Sequence, residues 1–156
     1  MGTVFVDNLE PQSGTTLTLG ASGDTVNLGS GGTVYNTPAF YATQESQQTI
    51  STGSVTVISL DTEVLDTNSC YSTSTYRFTP NASGFYYVFM HSAFDTNDDF
   101  DGVEMQMYKN NSTQIAGGIT RNESANNISI SAIVQLNGSS DYVDARAYQN
   151  SGSDKV

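Results

Sequence analysis

The chain has 156 residues, of which 16 are acidic and only five are Lys or Arg, so its formal net charge is −11. This shortage of cations excludes nucleic acid as a partner, because phosphate contacts need clustered Lys and Arg. The length allows one domain with a small appendage. A single cysteine, Cys70, excludes an intrachain disulfide, and we expect it to be a small buried side chain.

No export or membrane signal is recognisable in the sequence. The first residues, MGTVFVDNLEPQSG, lack the basic stretch and the apolar core of a signal peptide. No later segment approaches the roughly 18 apolar residues of a membrane span. We therefore expect no membrane insertion. If the protein reaches the outside of a cell, we expect something else to take it there, and a particle released by lysis is one such route.

Residues 1–36 form a leader that is poor in aromatic residues and rich in Gly and Thr. Within it, LTLGASGDT is echoed by VNLGSGGTV at an offset of nine residues, and each unit has two alternating apolar positions followed by a Gly-containing turn. Two such units are too few for a solenoid that stands alone, whereas three intertwined copies would bury their apolar side chains. The pattern predicts a trimeric β-stalk or attachment segment; a disordered leader is the alternative.

Residues 37–156 show longer strands with period-two alternation, and no window has helical spacing. The predicted strands are 39–43, 55–60, 85–92, 103–108, 114–121, 128–136 and 142–149. Turn-forming clusters separate them, including PNASG, KNNS and NGSS. This spacing predicts an all-β protein with a jelly-roll or β-sandwich head.

Alternation also predicts which side chains face the core. One face of each of two strands should be buried, and its members are Ile128, Ile130, Ala132, Val134 and Leu136 in one strand and Val103, Met105 and Met107 in the other. The run GFYYVFM is apolar on both faces, so we expect the core to cover one and a partner subunit the other. We expect Tyr86 and Val88 to lie on the face that a lone chain leaves exposed and that three copies bury.

Catalytic chemistry is poorly represented. His91 is the only histidine, so neither a histidine zinc site nor a histidine acid–base pair is available, and we expect no enzyme activity and no catalytic residue. One acidic cluster, DTNDDFDG, has the character of a metal site. Its alternating oxygen ligands, Asp95, Asn97, Asp99 and Asp101, precede a Gly as in the first half of a calcium loop, although position 12 is Tyr108. Calcium is the one candidate cofactor, and a solvated acidic turn is the alternative.

The order of segments from PAFYA to YVDARAYQNSG, over about residues 38–152, resembles the complement globular-head, or C1q-like, family of tumour-necrosis-factor-like jelly rolls. The most diagnostic piece is YRFTPNASGFYYVFM, in which Phe78, Pro80, Gly84, Tyr86 and Phe89 match the family's pattern of aromatics around a Pro and an Ala-x-Gly turn. KNNS is similar to the family's Lys-Asn-Gly turn, with Asn where Gly is usual. The resemblance implies a compact homotrimer whose exposed loops bind protein or glycan partners.

The sequence departs from that family at one place. Family members close with a strand rich in aromatics and Gly, whereas the printed sequence reads SGSDKV after its last predicted strand. Either the given sequence stops short of that strand or another element fills its place, and if the strand is missing, the sheet edge must be covered or the head is destabilised.

The leader is similar to the amino-terminal segments of small tail-fibre and structural proteins of marine and cyanobacterial bacteriophages. Together the two resemblances imply a homotrimeric virion protein, assembled in the host cytoplasm. Residues 1–36 would attach it to other virion proteins, and the head formed by residues 37–156 would adhere to a glycan or protein on the host surface. The alternative is a trimeric capsid decoration or cement protein. A secreted recognition protein is disfavoured by the lack of collagen-like Gly-x-y repeats.

Overall fold

The computed structural model describes residues 6, 8–27, 30, 37–93, 102–120 and 127–155. The chain divides into two compact units, Met1–Tyr35 and Asn36–Val156. Within the described ranges every regular element is a strand, which confirms the all-β prediction. Those ranges accordingly contain no helix with the length and apolarity needed to cross a membrane.

The structure describes ten strands in the second unit. They are β1 Phe40–Thr43, β2 Thr56–Val57, β3 Thr62–Asp66, β4 Tyr71–Ser72, β5 Arg77–Phe78, β6 Ser83–Ala93, β7 Val103–Lys109, β8 Thr113–Thr120, β9 Asn127–Asn137 and β10 Val143–Gln149. The described part of the first unit has no strand within a single chain, and the intertwined stalk stays a prediction. That unit does contain a turn, in which the Ala21 N–H donates to Asp24 Oδ2 at 2.7 Å.

Six strands form the larger sheet, in the order β4-β5-β10-β7-β8, with β2 pairing with β10 beside β5. All its pairings are antiparallel. Strands β7 and β10 pair along their whole length, from Val103 opposite Gln149 to Lys109 opposite Val143. The β7–β8 hairpin closes through Asn110 and Asn111, whose φ angles of 54° and 58° are those of a type I′ turn. Asn tolerates this left-handed conformation, so the predicted turn forms without the family's usual Gly.

The second layer consists of two separate pairs, β1–β3 and β6–β9. Strands β6 and β9 pair over eleven residues each, from Ser83 opposite Asn137 to Ala93 opposite Asn127. In the part of the chain that the structure describes, no strand joins β1 to β6. Among the described residues the second layer is therefore split into these two pairs.

The core lies between the two layers and contains the predicted alternating residues. Met105 and Leu136 are each 1% exposed, and Val103, Met107, Ile128, Ile130 and Val134 are also buried. Ala132 is half-buried and packs against the same cluster. The predicted burial of these side chains in the two strands is confirmed. Each strand alternates apolar with polar residues, so only one orientation of the strand buries its apolar side chains.

Two strand predictions were wrong or incomplete. The strand predicted over 55–60 is only Thr56–Val57, because the Gln48 side chain takes the place of a strand partner: its Nε2 donates to the Val57 carbonyl and its Oε1 accepts from the Ser59 N–H. Strands β3, β4 and β5 were not predicted. Three successive residues of β3 are exposed around a bulge at Val64, which has no partner between Tyr41 and Ala42 of β1, so the sequence of β3 shows no alternation. Strands β4 and β5 have only two residues each.

Candidate functional site

An apolar face covers the solvent side of the β6–β9 pair. Phe85, Tyr87 and Phe89 alternate along β6 and are 75%, 69% and 60% exposed, and Ile133 of β9 is 73% exposed. Tyr87 lies directly opposite Ile133, and Phe85 and Phe89 lie opposite Gln135 and Ser131. We call these four apolar residues the β6–β9 face. Contiguous exposed aromatic surface of this kind marks sites of protein association.

The structure corrects the prediction of which β6 side chains face solvent. Val88 is buried and Tyr86 is half-buried, so both point inward and neither belongs to the exposed patch. The Tyr86 hydroxyl donates to the Ala82 carbonyl at 2.6 Å, and its ring lies edge-on to Phe78 with centroids 5.5 Å apart. Desolvation raises the pKa of Tyr86. The prediction of two apolar faces holds, but the odd-numbered residues form the outer one.

Polar groups border the face at both ends of the strand pair. At one end, His91 Nδ1 lies 2.9 Å from Ser129 Oγ. At the other end, Lys109 Nζ donates to the carbonyl of Gln135 at 2.7 Å and pairs with Asp141 at 2.8 Å. Hydrogen bonds to Lys109 and Asn110 lower the pKa of Asp141. An apolar centre with a polar margin is the usual composition of a protein interface.

The opposite surface of the sandwich, formed by the six-stranded sheet, is polar, and among its described residues two buried atoms, Arg77 Nε and Gln106 Oε1, have no hydrogen-bond partner. Asp144 and Arg146 are 2% and 8% exposed although alternation places them on the solvent side of β10. Both guanidinium groups there make cation–π contacts. The guanidinium carbon of Arg146 lies 4.2 Å from the centroid of the Tyr108 ring, and that of Arg77 lies 4.1 Å from the centroid of the Tyr142 ring. Because this surface is polar, the apolar β6–β9 face is the better candidate for association.

The predicted calcium ligands cannot be placed. Asp95, Asn97, Asp99 and Asp101 lie outside the described residues, and the calcium loop stays a prediction. Among the residues that are described, no group of three or more His, Cys, Asp or Glu could hold a metal ion. Cys70 is buried as expected, at 5% exposure, and its thiol lies 3.5 Å from the carbonyl oxygen of Asn68.

Two layers of antiparallel strands with one exposed aromatic face define a jelly-roll module of the kind that binds or assembles. A family model described as C1q domain matches residues 39–154, most of the chain, and the chain therefore belongs to the C1q domain family. C1q domains are generally non-enzymatic binding or structural domains and commonly form homotrimers. No curated protein matches the chain. The resemblance drawn from YRFTPNASGFYYVFM is thus confirmed at the level of the family.

Proposed function

We propose that this protein is the adhesive and structural head of a homotrimer, assembled by burial of the β6–β9 face of each copy. The observation that carries the proposal is the exposure of Phe85, Tyr87, Phe89 and Ile133 side by side on a chain whose net charge is −11. Each square ångström of apolar surface removed from water contributes roughly 25 cal/mol. Four large side chains together supply a sizeable driving force for association.

Closed assembly fits this face better than open-ended association does. A patch that lies on a symmetry axis is buried in every copy once the assembly closes, whereas a head-to-tail contact that does not close would build filaments. The strong negative charge opposes further aggregation once the apolar patch is covered. Family membership supports a threefold assembly, since C1q domains commonly form homotrimers.

We further propose that the trimer is a bacteriophage virion protein, a tail fibre whose head binds a glycan or protein on the host surface. The support is the similarity of the leader to phage structural proteins, together with a head made for binding and not for catalysis. In the described part of the leader, Leu17, Leu19 and Val26 are 43%, 55% and 55% exposed, so apolar side chains are available for contact with other virion proteins.

Sedimentation analysis of the purified chain tests the assembly. We expect the mass of three copies, and a monomer at micromolar concentration would contradict the proposal. A matched pair of variants locates the interface: Ile133→Asp places a charge on the β6–β9 face, while Ile119→Asp changes an exposed Ile, 55% exposed, on β8 of the other sheet. Only the first should give monomers.

Electron microscopy of virus particles with an antibody or gold label on the head tests the role of the trimer. Label on fibres, with loss of host adsorption when the head is removed, supports the fibre. Label at regular positions on the capsid shell contradicts it and identifies the alternative, a capsid decoration protein.

A further inference from the structure

Strand β8 contains two consecutive glycines, Gly117 and Gly118, that need different explanations. A Cβ atom at Gly118 would lie 2.8 Å from Ile130 Cγ2 and 3.1 Å from Ile128 Cγ2. Gly118 therefore faces the core, where the missing side chain lets β8 pack closely on β9. Neither glycine has a positive φ angle, so backbone conformation does not require them. Gly117 faces the opposite side of the strand, and core packing does not account for it.

Gly117 lies on the outer side of the larger sheet, opposite Gln106 of β7. A Cβ atom at Gly117 would overlap Gln114 Nε2, and its other neighbours would be the Met105 carbonyl oxygen at 3.5 Å and Glu104 Oε1 at 3.6 Å. The overlapping atom is the end of a flexible side chain, which can turn away. A strand glycine without a structural requirement commonly marks a place where a ligand approaches the backbone closely.

A β-bulge brings the polar side chain of Gln114 to the same face as Gly117. The two residues are three apart and would lie on opposite faces of a regular strand. The pairing register shifts between Met107 and Tyr108, because Ile115 has no partner in β7. This one extra residue returns Gln114 to the outer face. Bulges that redirect a side chain in this way are frequent beside functional sites.

An open cleft lies over Gly117. Its volume is about 330 Å³, and its lining residues are Glu104, Gln114, Gly117, Gly118 and Ile119. Ile119 pairs directly with Glu104 and is 55% exposed, so an apolar wall stands beside a carboxylate. The volume lies at the small end of the range for ligand sites. All five residues belong to the β7–β8 hairpin, so this Gly117 cleft is complete within one chain.

The polar groups at the Gly117 cleft need a ligand that both donates and accepts hydrogen bonds. The Glu104 carboxylate only accepts, and it forms no ion pair within the described residues. The Gln114 amide donates and accepts. Gln106 is 6% exposed on the same face, and its Oε1 has no hydrogen-bond partner, which costs free energy until a donor arrives. Hydroxyl groups can serve all three side chains, because each hydroxyl donates and accepts.

Charge and shape narrow the ligand further. The net charge of −11, with Glu104 in the cleft, disfavours phosphate and acidic sugars. An ammonium group would pair with Glu104, but it has no acceptor for Gln114 and no apolar surface for Ile119. A neutral sugar ring has hydroxyl groups along its edge and an apolar C–H face that can lie on Ile119.

We propose that the Gly117 cleft binds a single neutral sugar ring of a glycan. The hydroxyl groups of the ring donate to Glu104 and exchange hydrogen bonds with Gln114, and its C–H face covers Ile119. The proposal gives the head a ligand class and rests on the adhesive function proposed above. It does not depend on the trimer, because the cleft lies on the outer sheet and not on the β6–β9 face.

NMR titration of the ¹⁵N-labelled chain tests the site with D-glucose, D-galactose and D-mannose as probes. We expect the side-chain amide of Gln114 and the backbone amides of Gly117 and Ile119 to shift with at least one sugar, with the millimolar affinity of a small ligand. No shift with any of the three at about 100 mM, an excess over that affinity, would overturn the proposal. Shifts with methylammonium chloride and with no sugar would also overturn it.

Gly117→Thr separates the cleft from the fold. Threonine favours strands, so stability in urea should not fall, whereas its side chain fills the cleft and should weaken sugar binding at least about tenfold. Thr113→Val is the matched control, because Thr113 is exposed on β8 but does not line the cleft. Glu104→Gln should also weaken binding at least about tenfold through loss of a charged acceptor. Sugar binding that survives both variants would contradict the site.

Sugar binding and assembly can fail separately. Ile119→Asp should keep the trimer and lose the sugar-induced shifts, whereas Ile133→Asp should give monomers that still bind the sugar. Loss of sugar binding in the Ile133→Asp monomer would contradict a cleft that is complete in one chain. A trimer that binds none of the sugars overturns only the sugar site, and a monomer that binds one overturns only the proposed assembly.

Discussion

Arg146 and Asp144 form a two-pronged ion pair within a single strand. Arg146 Nε donates to Asp144 Oδ1 at 2.6 Å, and a terminal guanidinium nitrogen donates to Oδ2 at 3.0 Å. The same terminal nitrogen donates to Asn111 Oδ1 at 2.6 Å, which ties the β7–β8 turn to β10. The hydrogen bonds to Asp144 raise the pKa of Arg146 despite its desolvation. The pair is buried on the outer side of the sheet, where the Tyr108 ring covers it.

Removal of one partner from this pair should be costly. In Arg146→Met the Asp144 carboxylate stays buried without its main donor, and we expect the free energy of unfolding to fall by about 3–5 kcal/mol, measured by urea denaturation. Lys109→Met is the control, because it breaks the less buried pair with Asp141 and should cost about 1 kcal/mol or less. Equal losses in the two variants would contradict the buried-pair interpretation.

The β6–β9 face should control assembly without controlling the fold. Tyr87→Glu should convert the trimer to monomers, because a carboxylate would have to be desolvated between copies, while thermal unfolding of the monomer stays cooperative. Size-exclusion chromatography with light scattering measures the mass. Ile119→Glu is a control, since Ile119 is 55% exposed on β8 of the other sheet. A variant that stays trimeric would place the interface elsewhere.

Gly138 should tolerate no side chain. Its φ angle is 72°, and a Cβ atom at this position would collide with the backbone of Ala82 and Ser83. Gly53 has a φ angle of 70° with open space around it. The variant Gly53→Ala should therefore lower the free energy of unfolding only by the cost of a left-handed backbone conformation at alanine, about 1–2 kcal/mol. Gly138→Ala should lower the free energy of unfolding by clearly more than that. Similar losses in urea denaturation would show that the turn moves away at little cost.

Stability should fall at high pH through Tyr71. Burial raises the pKa of Tyr71 to about 12, and its hydroxyl donates to the Leu60 carbonyl at 2.8 Å. Because the folded-state pKa is the higher one, the contribution is complete below pH 10 and is lost as the pH rises through about 12. Tyr71→Phe should cost about 1 kcal/mol at pH 8 and flatten the decline between pH 10 and 12, measured by denaturation at each pH. An unchanged decline would exclude Tyr71 as its source.

Asp66 should contribute stability that acid removes. Desolvation opposes ionisation, but backbone N–H donors, including those of Tyr71 at 2.7 Å and Asn68 at 3.2 Å, outweigh it and lower the pKa of Asp66. A lowered folded-state pKa gives stability that is present above pH 4 and lost as the pH falls through that pKa. Asp66→Asn should therefore cost about 1 kcal/mol at pH 7 and little at pH 2. A loss that is the same at both pH values would contradict this origin.

The sequence predicts a strand well where polar and apolar residues alternate. In β9, Ser129 and Ser131 separate Ile128, Ile130 and Ala132, so only one phase buries the apolar set. In β6 both the odd- and the even-numbered residues are apolar, so alternation does not say which set faces the core. The pairing with β9 decides this, because Tyr86 lies opposite the buried Val134. Pairing register is a nonlocal property, and for that reason the exposed set Phe85, Tyr87 and Phe89 could not be assigned beforehand.

The buried ion pair shows a second limit of sequence reasoning. Asp144 and Arg146 are two residues apart, so their shared face follows from strand geometry alone. Their burial does not, because it depends on Tyr108 from β7 and Asn111 from the neighbouring turn. On an isolated strand the same two residues would be an ordinary solvated pair.

Composition, alternation and turn chemistry by themselves determined that this chain is all-β and that its head has the order of segments of a C1q domain, and they predict that nucleic acid is not its partner. These are local properties of charge, side-chain period and backbone preference. The tertiary structure alone decided that the aromatic face is built from Phe85, Tyr87, Phe89 and Ile133, and that Asp144 and Arg146 are buried. Both features arise from contacts between strands far apart in the chain, and no local pattern specifies those contacts.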